Sequence, residues 1–460
     1  MLITRQGKSV MGINWLFERM TTFKEKRAIV SDAEAATYGQ LLEKVAKWQG
    51  YLKENAIRAG QVVAIYSDYT PDSCALLLAL IDHGAICVPL TKGIETHYDE
   101  FLKVAEVEWV ITLDDNNEWV QYPSGVVASH PLTLDLRAQS EPGLIVFSSG
   151  STGKNKGILH SFTNLLDKFK IQRHALCTIT FLTFDHLGGI NTLLYTLSNG
   201  GSIVSVSQRD PDTVCQAIER YKVELLPVSP TFLNLLLISN IYTRYDLSSL
   251  QLISYGTEVM PSSTLEQVHR IFPAVRLQQT YGLSELGVLR SRSRVSGSLW
   301  VKVGGEGFAT KVVDGKLWIK AHSSMRGYLN APNPFDAEGW LNTGDLVEVD
   351  GDYVRFLGRE SEVINVGGEK VFPAEVENVI LQLSNIQDVV VKGKSNPVTG
   401  NIVFARVALF EPEDPLEVED RVLAFCKTRL APYKIPAVVQ VAAEDLHNQR
   451  FKKVRTYSHD

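Results

Sequence analysis

Apolar residues recur at two different spacings along the first 280 residues, and stretches with the two spacings alternate. Where apolar residues lie three or four positions apart, the pattern predicts a helix, and where they form a short continuous run, it predicts a buried strand. The first elements predicted in this way are a helix over 37–55, a strand over 62–66, a helix over 71–83 and a strand over 85–90. A strand, a crossover helix and a second strand in this order are typical of a parallel sheet.

The same alternation continues to residue 278. It predicts strands over 144–147, 202–206, 224–228, 250–255 and 275–278, and helices over 164–174, 212–221, 230–238 and 261–272. Alternating strands and helices predict a layered α/β domain, in which ligands bind beyond the carboxyl ends of the strands. The loops at these strand ends are therefore the first places where we expect a binding site.

The pattern changes twice in the last third of the chain. Short strands over 299–303 and 317–320, separated by glycines, predict a small β subdomain. Beyond Gly358 and Arg359, the predicted elements are strands over 389–391 and 402–409 and helices over 374–383 and 418–430. We therefore predict an α/β protein with a large N-terminal domain over 1–358, made of layered α/β subdomains and the β subdomain, and a small C-terminal α+β domain over 359–460.

Composition limits the possible partners and compartment. The chain has 460 residues, of which 45% are hydrophobic, and its formal net charge of -6 does not favour nucleic acid as a partner. The apolar run over 74–81 is far shorter than the roughly 20 residues of a membrane helix, and the N-terminal residues do not resemble a secretory signal. Five scattered cysteines without a Cys-x-x-Cys pair predict a cytoplasmic protein with neither a disulfide framework nor a zinc site.

A loop rich in hydroxyls, glycines and lysines follows the strand predicted at 144–147. Glycine lets the backbone approach an anion, while hydroxyl and ammonium groups donate hydrogen bonds to it, so this composition predicts a polyphosphate site. A solvated turn has a similar composition, and the spacing after Gly150 does not match a Walker-type loop. The candidate phosphate-binding residues are Ser148, Ser149, Gly150, Ser151, Thr152, Gly153, Lys154 and Lys156.

This loop resembles the Ser-Gly-Ser/Thr-Thr-Gly-x-Pro-Lys-Gly signature of the adenylate-forming superfamily, which comprises acyl- and aryl-CoA synthetases, nonribosomal adenylation domains and luciferases. The one departure is Asn155, which stands where proline is usual. A second segment, 281–285, is similar to the Tyr-Gly-x-Thr-Glu motif of the same family. The resemblance implies that Glu285 binds Mg²⁺ and that Ser284 contacts the phosphates or the metal, and a glutamate and a hydroxyl supply the hard oxygen atoms that Mg²⁺ prefers.

Other segments extend the resemblance over some 300 residues. It implies that the loop of Gly256, Thr257 and Glu258 lies against the adenine ring and that Tyr281 and Gly282 belong to the nucleotide-binding residues. It also implies that Asp345, in a Trp-x-x-Thr-Gly-Asp segment, accepts the ribose hydroxyls, and that Arg359 makes a second ribose or phosphate contact. Residues 364–377 resemble the C-terminal signature, with Gly368 lining the tunnel for the thiol and Ser361 at the hinge. The family implies that this C-terminal domain is mobile.

The C-terminal catalytic lysine is the weakest match. The family motif is Gly-Lys-x-x-Arg, and here Phe451 replaces the glycine. The spacing to Arg455 favours Lys452, whereas the apolar Val454 favours Lys453. Both remain candidates for the lysine that bridges the substrate carboxylate and the α-phosphate, and both are also consistent with solvated charges near a terminus.

Residues 184–190 resemble the gate segment that borders the acid pocket. Two registers are possible: His186 is the gate, or Phe184 is the gate and Asp185 binds the ammonium group of an amino acid. We favour His186, because the glycines at 188 and 189 then match the family's Phe-His-x-x-Gly form. This register implies an acid without an α-amine, such as an aryl or fatty acid.

Together these segments predict ATP-dependent activation of a carboxylic acid as acyl-AMP, with release of pyrophosphate and transfer to the phosphopantetheine thiol of coenzyme A. The implied cofactors are ATP, Mg²⁺ and coenzyme A. The alternatives are transfer to a separate acyl carrier protein, activation of an amino acid, or a non-catalytic ATP-binding regulator, which the altered C-terminal lysine motif favours. The sequence does not indicate the oligomeric state.

Overall fold

The computed structural model describes residues 12–31, 34–114, 118–149, 154–305, 307–442 and 446. Its helices are α1 (Asn14–Thr21), α2 (Tyr38–Glu54), α3 (Pro71–His83), α4 (Tyr98–Val104), α5 (Pro131–Ala138), α6 (Phe162–Asp167), α7 (Leu187–Asn199), α8 (Pro211–Tyr221), α9 (Pro230–Ser239), α10 (Ser262–Ile271), α11 (Pro373–Ile380) and α12 (Pro415–Lys427). Most of the predicted elements are therefore confirmed within a few residues.

The strands begin with β1 (Arg27–Val30), β2 (Ala35–Thr37), β3 (Val62–Tyr66), β4 (Ile86–Leu90), β5 (Trp109–Leu113), β6 (Trp119–Pro123), β7 (Gly143–Ser149), β8 (Asn155–Ser161), β9 (Cys177–Ile179), β10 (Ser202–Val204), β11 (Leu225–Val228), β12 (Leu252–Tyr255) and β13 (Arg276–Gln279). They continue with β14 (Tyr281–Leu283), β15 (Gly287–Leu289), β16 (Ser291–Ser293), β17 (Val301–Val303), β18 (Phe308–Val313), β19 (Lys316–Ala321), β20 (Gly327–Tyr328), β21 (Leu341–Asp350), β22 (Tyr353–Arg359), β23 (Ile364–Val366), β24 (Glu369–Val371), β25 (Ile386–Asn396), β26 (Gly400–Leu409) and β27 (Val438–Val441).

Two seven-stranded sheets form the core of the large N-terminal domain. One has the order β13-β12-β11-β9-β10-β1-β2, and the other has the order β20-β8-β7-β4-β3-β5-β6. Helices α2, α3 and α7 contribute to a core cluster that also contains side chains of both sheets, such as Ile29 and Val63. Helix α3 is buried along its length from Cys74 to Ile81, which explains why its sequence is apolar on all sides.

Local capping fixes where these helices begin and end. The hydroxyl of Thr37 accepts a hydrogen bond from the Gln40 amide, and the Gln40 side chain accepts one from the Thr37 amide, so a capping box starts α2. Helix α3 starts with Pro71 at its first position and ends at Gly84, whose φ of +81° places it in the left-handed region. These signals are local, and for this reason the sequence predicted both helices accurately.

A six-stranded antiparallel sheet with the order β16-β17-β22-β21-β19-β18 forms the β subdomain. A five-stranded sheet follows, with the order β24-β23-β26-β25 and with β27 paired to β26, and it packs with α11 and α12 into a separate core. The chain therefore consists of a large N-terminal and a small C-terminal domain, as predicted. None of the helices in the described part of the chain has the length and apolar character needed to cross a membrane.

The structure differs from the prediction around residue 160. Strand β8 was not predicted, and it pairs antiparallel with β7, so the two strands form a hairpin. The predicted helix over 164–174 is short and ends at Asp167. The guanidinium group of Arg19 donates hydrogen bonds to the carbonyl groups of Phe169 and Lys170 just beyond this end. A contact across 150 residues therefore satisfies the carbonyls that a longer helix would have used.

Candidate functional site

The phosphate-loop candidates lie on the hairpin of β7 and β8. Ser148 pairs with Lys156 and Ser149 pairs with Asn155 across the two strands. Lys154 is exposed and Lys156 is half-buried. The side chain of Ser149 and the whole of Gly150, Ser151, Thr152 and Gly153 lie outside the described residues. The hairpin places both lysines at the mouth of this loop.

Gly157 shows how closely the hairpin is packed. A Cβ atom at this position would lie 2.9 Å from Val104 Cγ1 and 3.2 Å from Phe147 Cε1. The Gly157 amide donates to Asn330 Oδ1 at 3.0 Å, and the Gly157 carbonyl accepts from the amide of Leu329 at 2.8 Å. The segment around residue 330 therefore fixes the backbone next to Lys156.

Strand β20 brings the phosphate-loop lysine and the candidate metal ligand together. It pairs with β8, with Tyr328 opposite Ile158. The Lys156 ammonium group lies 4.8 Å from the centroid of the Tyr328 ring, and the Tyr328 hydroxyl donates to Glu285 Oε1 at 2.6 Å. Residues 156, 285 and 328 thus form one cluster, although they are far apart in the sequence.

Glu285 lies in the turn of a β hairpin. Strands β14 and β15 pair around Ser284, Glu285 and Leu286, and Gly282 lies so close to the partner strand that a Cβ atom there would be 2.9 Å from the Gly287 carbonyl oxygen. His160 Nε2 makes a 2.7 Å hydrogen bond with the Ser284 carbonyl. Burial lowers the pKa of His160 to about 4, so the ring is neutral at pH 7 and donates through Nε2.

Asp345 is buried between an aromatic hydroxyl and a guanidinium group. Its Oδ2 accepts from the Tyr281 hydroxyl at 2.5 Å, and its Oδ1 accepts from Arg359 Nε at 3.2 Å. Burial raises the pKa of the Asp345 carboxyl group, and the charge of Arg359 opposes this rise. Tyr281 stacks on Phe356 with a centroid distance of 4.7 Å. Asp345 is therefore in direct contact with two other residues that were predicted to contact the nucleotide, Tyr281 and Arg359.

The loop after β12 has a strained backbone. Thr257 has a φ of +73°, which is rare for a β-branched residue and often marks a ligand-binding segment. Gly256 precedes it, and a Cβ atom there would lie 2.7 Å from the carbonyl oxygen of Thr280. Glu258 accepts a 2.6 Å hydrogen bond from the Thr231 hydroxyl. The loop is held in place by Thr231 on α9 and by Thr280 between β13 and β14, as a rigid binding surface requires.

The gate segment precedes α7. His186 is the N-cap of this helix, and its Nδ1 accepts from the Gly188 amide at 3.0 Å. Phe184 is fully buried and packs edge to face on Tyr69 at 5.2 Å between centroids. Asp185 is 4% exposed and accepts a hydrogen bond from the Thr183 hydroxyl. Of the two candidate gate residues, the aromatic ring of Phe184 therefore belongs to the core.

Gly368 lies in the turn between β23 and β24. Its φ is +95°, and its amide donates to Asn365 Oδ1 at 2.9 Å. A Cβ atom at this position would meet nothing within 4 Å, so packing within the chain does not explain why the position is glycine. The catalytic candidates Lys452 and Lys453 lie outside the described residues.

The donor set fits magnesium better than a metal held by protein ligands alone. Among the described residues, no group of three or more histidine, cysteine, aspartate or glutamate side chains is placed to hold a metal ion. Mg²⁺ commonly takes one or two carboxylates and completes its shell with water and substrate phosphates. The single carboxylate of Glu285, in one cluster with Lys156, suits this kind of site.

Comparison with known proteins decides the family. Residues 16–329 match the AMP-binding enzyme family, and residues 375–453 match the AMP-binding enzyme C-terminal domain. The chain belongs to the AMP-binding enzyme family. It is 28% identical to a 2-succinylbenzoate–CoA ligase of Bacillus cytotoxicus, covering 96% of this chain and 97% of the relative. It is also 28% identical to an indoleacetate–CoA ligase of Aromatoleum aromaticum, covering 94% of each chain.

A solved structure shares the fold. An anthranilate–CoA ligase in complex with anthranoyl-AMP has a TM-score of 0.81 at 20% identity, covering 96% of this chain and 95% of that one. The predicted membership of the adenylate-forming family is therefore confirmed. As a member of the AMP-binding enzyme family with CoA ligases as homologues, the chain is an AMP-forming acid–CoA ligase.

Within this AMP-binding fold, the sequence did not reveal three residues that support the site. They are His160, Tyr328 and Lys168, whose ammonium group donates to the Val288 carbonyl at 2.9 Å. Each contacts the Glu285 hairpin from a distant part of the chain. The apolar neighbours of His160 indicated that its side chain is buried. Its hydrogen-bond partner, the Ser284 carbonyl, could not be inferred because strand β8 was not predicted.

Proposed function

We propose that this chain activates an aryl or fatty acid without an α-amine as acyl-AMP and then transfers the acyl group to the thiol of coenzyme A. The main support is the cluster of Lys156, Tyr328 and Glu285, which joins the phosphate-loop hairpin to the candidate metal carboxylate through contacts of 4.8 and 2.6 Å. Next to it, Asp345 is held by Tyr281 and Arg359. The residues that we propose to bind the phosphates, the metal ion and the ribose therefore lie on adjoining elements.

In the first half-reaction, the substrate carboxylate attacks the α-phosphorus of ATP, and the bond from this phosphorus to the bridging oxygen breaks as pyrophosphate leaves. Lys156 and the loop amides and hydroxyls stabilise the negative charge on the phosphates. Glu285 and Ser284 hold Mg²⁺, which when bound supplies further positive charge at the phosphate oxygens. Lys452 or Lys453 contacts the substrate carboxylate and the α-phosphate.

The nucleoside is held by separate groups. Asp345 accepts hydrogen bonds from the ribose hydroxyls, and Arg359 orients the Asp345 carboxylate. The loop of Gly256, Thr257 and Glu258 lies against the adenine ring beside Tyr281. A carboxylate suits this role because it accepts two hydrogen bonds from neighbouring hydroxyls. The strain at Thr257 and the buried position of Asp345 support this assignment.

For the second half-reaction, we propose that the C-terminal domain, from residue 359 onward, rotates about Ser361 and brings Gly368 to the thiol tunnel. The adenylate is a mixed anhydride, so a domain that closes over it also protects it from water. Gly368 supports the tunnel assignment because its missing side chain leaves open space in a turn of positive φ. The thiol then displaces AMP from the acyl carbon.

The pocket chemistry favours an acid without an ammonium group. Phe184 is fully buried, which supports His186 as the gate. Asp185 already accepts a hydrogen bond from Thr183 within the core, and this position does not suit an anchor for a substrate amine. The named relatives act on 2-succinylbenzoate and indoleacetate, which favours an aryl or arylalkyl acid over a fatty acid.

A mass-spectrometric screen tests this proposal. The purified chain is incubated with ATP and Mg²⁺ and a panel of aryl, fatty and amino acids, once with coenzyme A and once with a holo acyl carrier protein. We expect AMP and an acyl-CoA with at least one aryl or fatty acid. Acylation of the carrier protein alone would overturn the choice of acceptor, and turnover with amino acids alone would overturn the gate assignment.

A further inference from the structure

Tyr328 lies between the two charged groups on which the proposed phosphate and metal sites depend. It belongs to the two-residue strand β20, which is added to the edge of β8, and it is only 9% exposed. Its hydroxyl donates to Glu285 Oε1, and its ring lies 4.8 Å from the Lys156 ammonium group. One side chain therefore contacts both residues through two different parts.

We propose that Tyr328 is a positioning residue that sets the relative position of Lys156 and Glu285: its hydroxyl holds the metal-binding carboxylate, and its ring holds the phosphate-binding ammonium group. This inference rests on the function proposed for the site. Tyr328 itself does not contact the reacting atoms. It acts through Lys156 and Glu285, which it contacts with its ring and its hydroxyl.

The hydroxyl contact has the properties of an orienting bond. A hydrogen bond to an ionised carboxylate is short and strong, and the 2.6 Å distance agrees with this. The Tyr328 hydroxyl is the donor and the Glu285 carboxylate oxygen is the acceptor, so the bond fixes one carboxylate oxygen and leaves the other for a metal ion.

The ring contact has a different character. A lysine ammonium group over an aromatic face is attracted to the negative charge of the ring, without a directional hydrogen bond. Among the described residues no carboxylate forms an ion pair with Lys156, so this contact holds the lysine beside the phosphate loop and leaves its donors available for phosphate oxygens. The two contacts are chemically separate, so different substitutions remove them one at a time.

Tyr328→Phe removes the hydroxyl and keeps the ring, whereas Tyr328→Leu removes both contacts. Calorimetric titration of ATP, with Mg²⁺ and then with EDTA, separates the two effects without measuring turnover. We expect Tyr328→Phe to bind ATP about tenfold more weakly with Mg²⁺, as for the loss of a hydrogen bond to a charged group, and as well as the wild type in EDTA. Tyr328→Leu should bind ATP about three- to fivefold more weakly in EDTA as well.

Two further variants separate positioning from loss of folding. Tyr242→Phe removes a hydroxyl that bonds to Asn240 just after α9, on a segment outside the proposed site, and should bind ATP as the wild type does. In a Glu285→Gln background, Tyr328→Phe should cause no further loss of the magnesium effect, because Tyr328 acts through Glu285. A purely structural effect would appear equally in both backgrounds and would also lower binding in EDTA.

Wild-type magnesium dependence in a folded Tyr328→Phe variant would overturn the inference. So would additive effects of Tyr328→Phe and Glu285→Gln on the magnesium-dependent affinity. If the wild-type chain bound no ATP under either condition, the proposed function of the site would fail instead, and the two failures are therefore distinguishable.

Discussion

At the scale of single residues, Asp345 is the group that we propose as the acceptor of the ribose hydroxyls. It is buried and receives hydrogen bonds from Tyr281 and Arg359, so its charge is oriented before any ligand arrives. We predict that Asp345→Asn weakens ATP binding by about 10- to 100-fold, because an amide accepts fewer hydrogen bonds and the contribution of a charged acceptor is about 1.5–3 kcal/mol. Calorimetric titration measures the change.

Glu348→Gln is the matched control for this substitution. Glu348 is on the same strand, but it is exposed and pairs with Arg355, so its loss should leave ATP affinity unchanged. Equal effects of the two substitutions, or an unchanged affinity in Asp345→Asn, would argue against a role of Asp345 in binding the nucleoside.

Lys168 provides a prediction about pH. Burial lowers its pKa to about 7, below the value of about 10.4 expected in the unfolded chain. At pH values between these two pKa values, Lys168 is protonated in the unfolded chain and mostly neutral in the folded one. The free energy of unfolding therefore rises with pH in this range, and this contribution is lost as the pH falls toward 7. Lys168→Met removes this group.

We therefore predict that the wild type gains stability relative to Lys168→Met by about 2–3 kcal/mol between pH 7 and pH 9. Urea unfolding at the two pH values measures the difference. Lys170→Met, at an exposed lysine on the same segment, should show a difference from the wild type that does not depend on pH. A pH-independent difference for Lys168→Met would show that its ammonium group is not buried.

At the scale of elements, the loop after β12 depends on a glycine. A Cβ atom at Gly256 would lie 2.7 Å from both the carbonyl oxygen and Oγ1 of Thr280, and backbone cannot move aside easily. We predict that Gly256→Ala displaces the loop, lowers the free energy of unfolding by about 1–3 kcal/mol and weakens ATP binding. Thermal unfolding and ATP titration of the same variant measure both effects.

Gly50→Ala is the control, because a Cβ atom there would meet nothing within 4 Å. Gly50 is inside α2, where alanine is favoured over glycine, so this variant should be more stable by about 0.5–1 kcal/mol. If Gly256→Ala behaved like Gly50→Ala in both measurements, the loop would not be fixed by the close approach of Thr280.

The elements also show what the sequence reveals and what it does not. Helices α2 and α3 were predicted closely because their capping groups are local. The segments 256–258, 281–285 and 340–345 were selected as site candidates from motifs that need no tertiary contact. Strand β8 was missed and α6 was predicted too long, because these features depend on the pairing of β8 with β7 and β20 and on the contacts of Arg19. The contacts of Tyr328 were not predicted for the same reason.

At the scale of the whole molecule, the proposed rotation of the C-terminal domain can be arrested. Asn234 Nδ2, on α9 of the large domain, donates to the carbonyl of Gln387 in the small domain at 3.2 Å. A disulfide between Asn234→Cys and Gln387→Cys would hold the domains in this arrangement. All five native cysteines are buried, so they should not compete during mild oxidation.

We predict that the oxidised double variant performs only one of the two half-reactions and that reduction restores both. Pyrophosphate exchange measures the first half-reaction, and the conversion of a chemically supplied acyl-AMP to acyl-CoA measures the second. Each single cysteine variant serves as the control for oxidation. Full activity of the crosslinked protein in both assays would contradict the proposal that the domain rotates between the half-reactions.

The central claim is that the cluster of Lys156, Tyr328 and Glu285 serves the formation of an acyl adenylate. The most direct test is acid-dependent exchange of labelled pyrophosphate into ATP, without any thiol, across the panel of aryl and fatty acids. We predict exchange with at least one aryl acid, strict dependence on Mg²⁺, and loss of exchange in Glu285→Gln. ATP binding without exchange for any acid would contradict the claim.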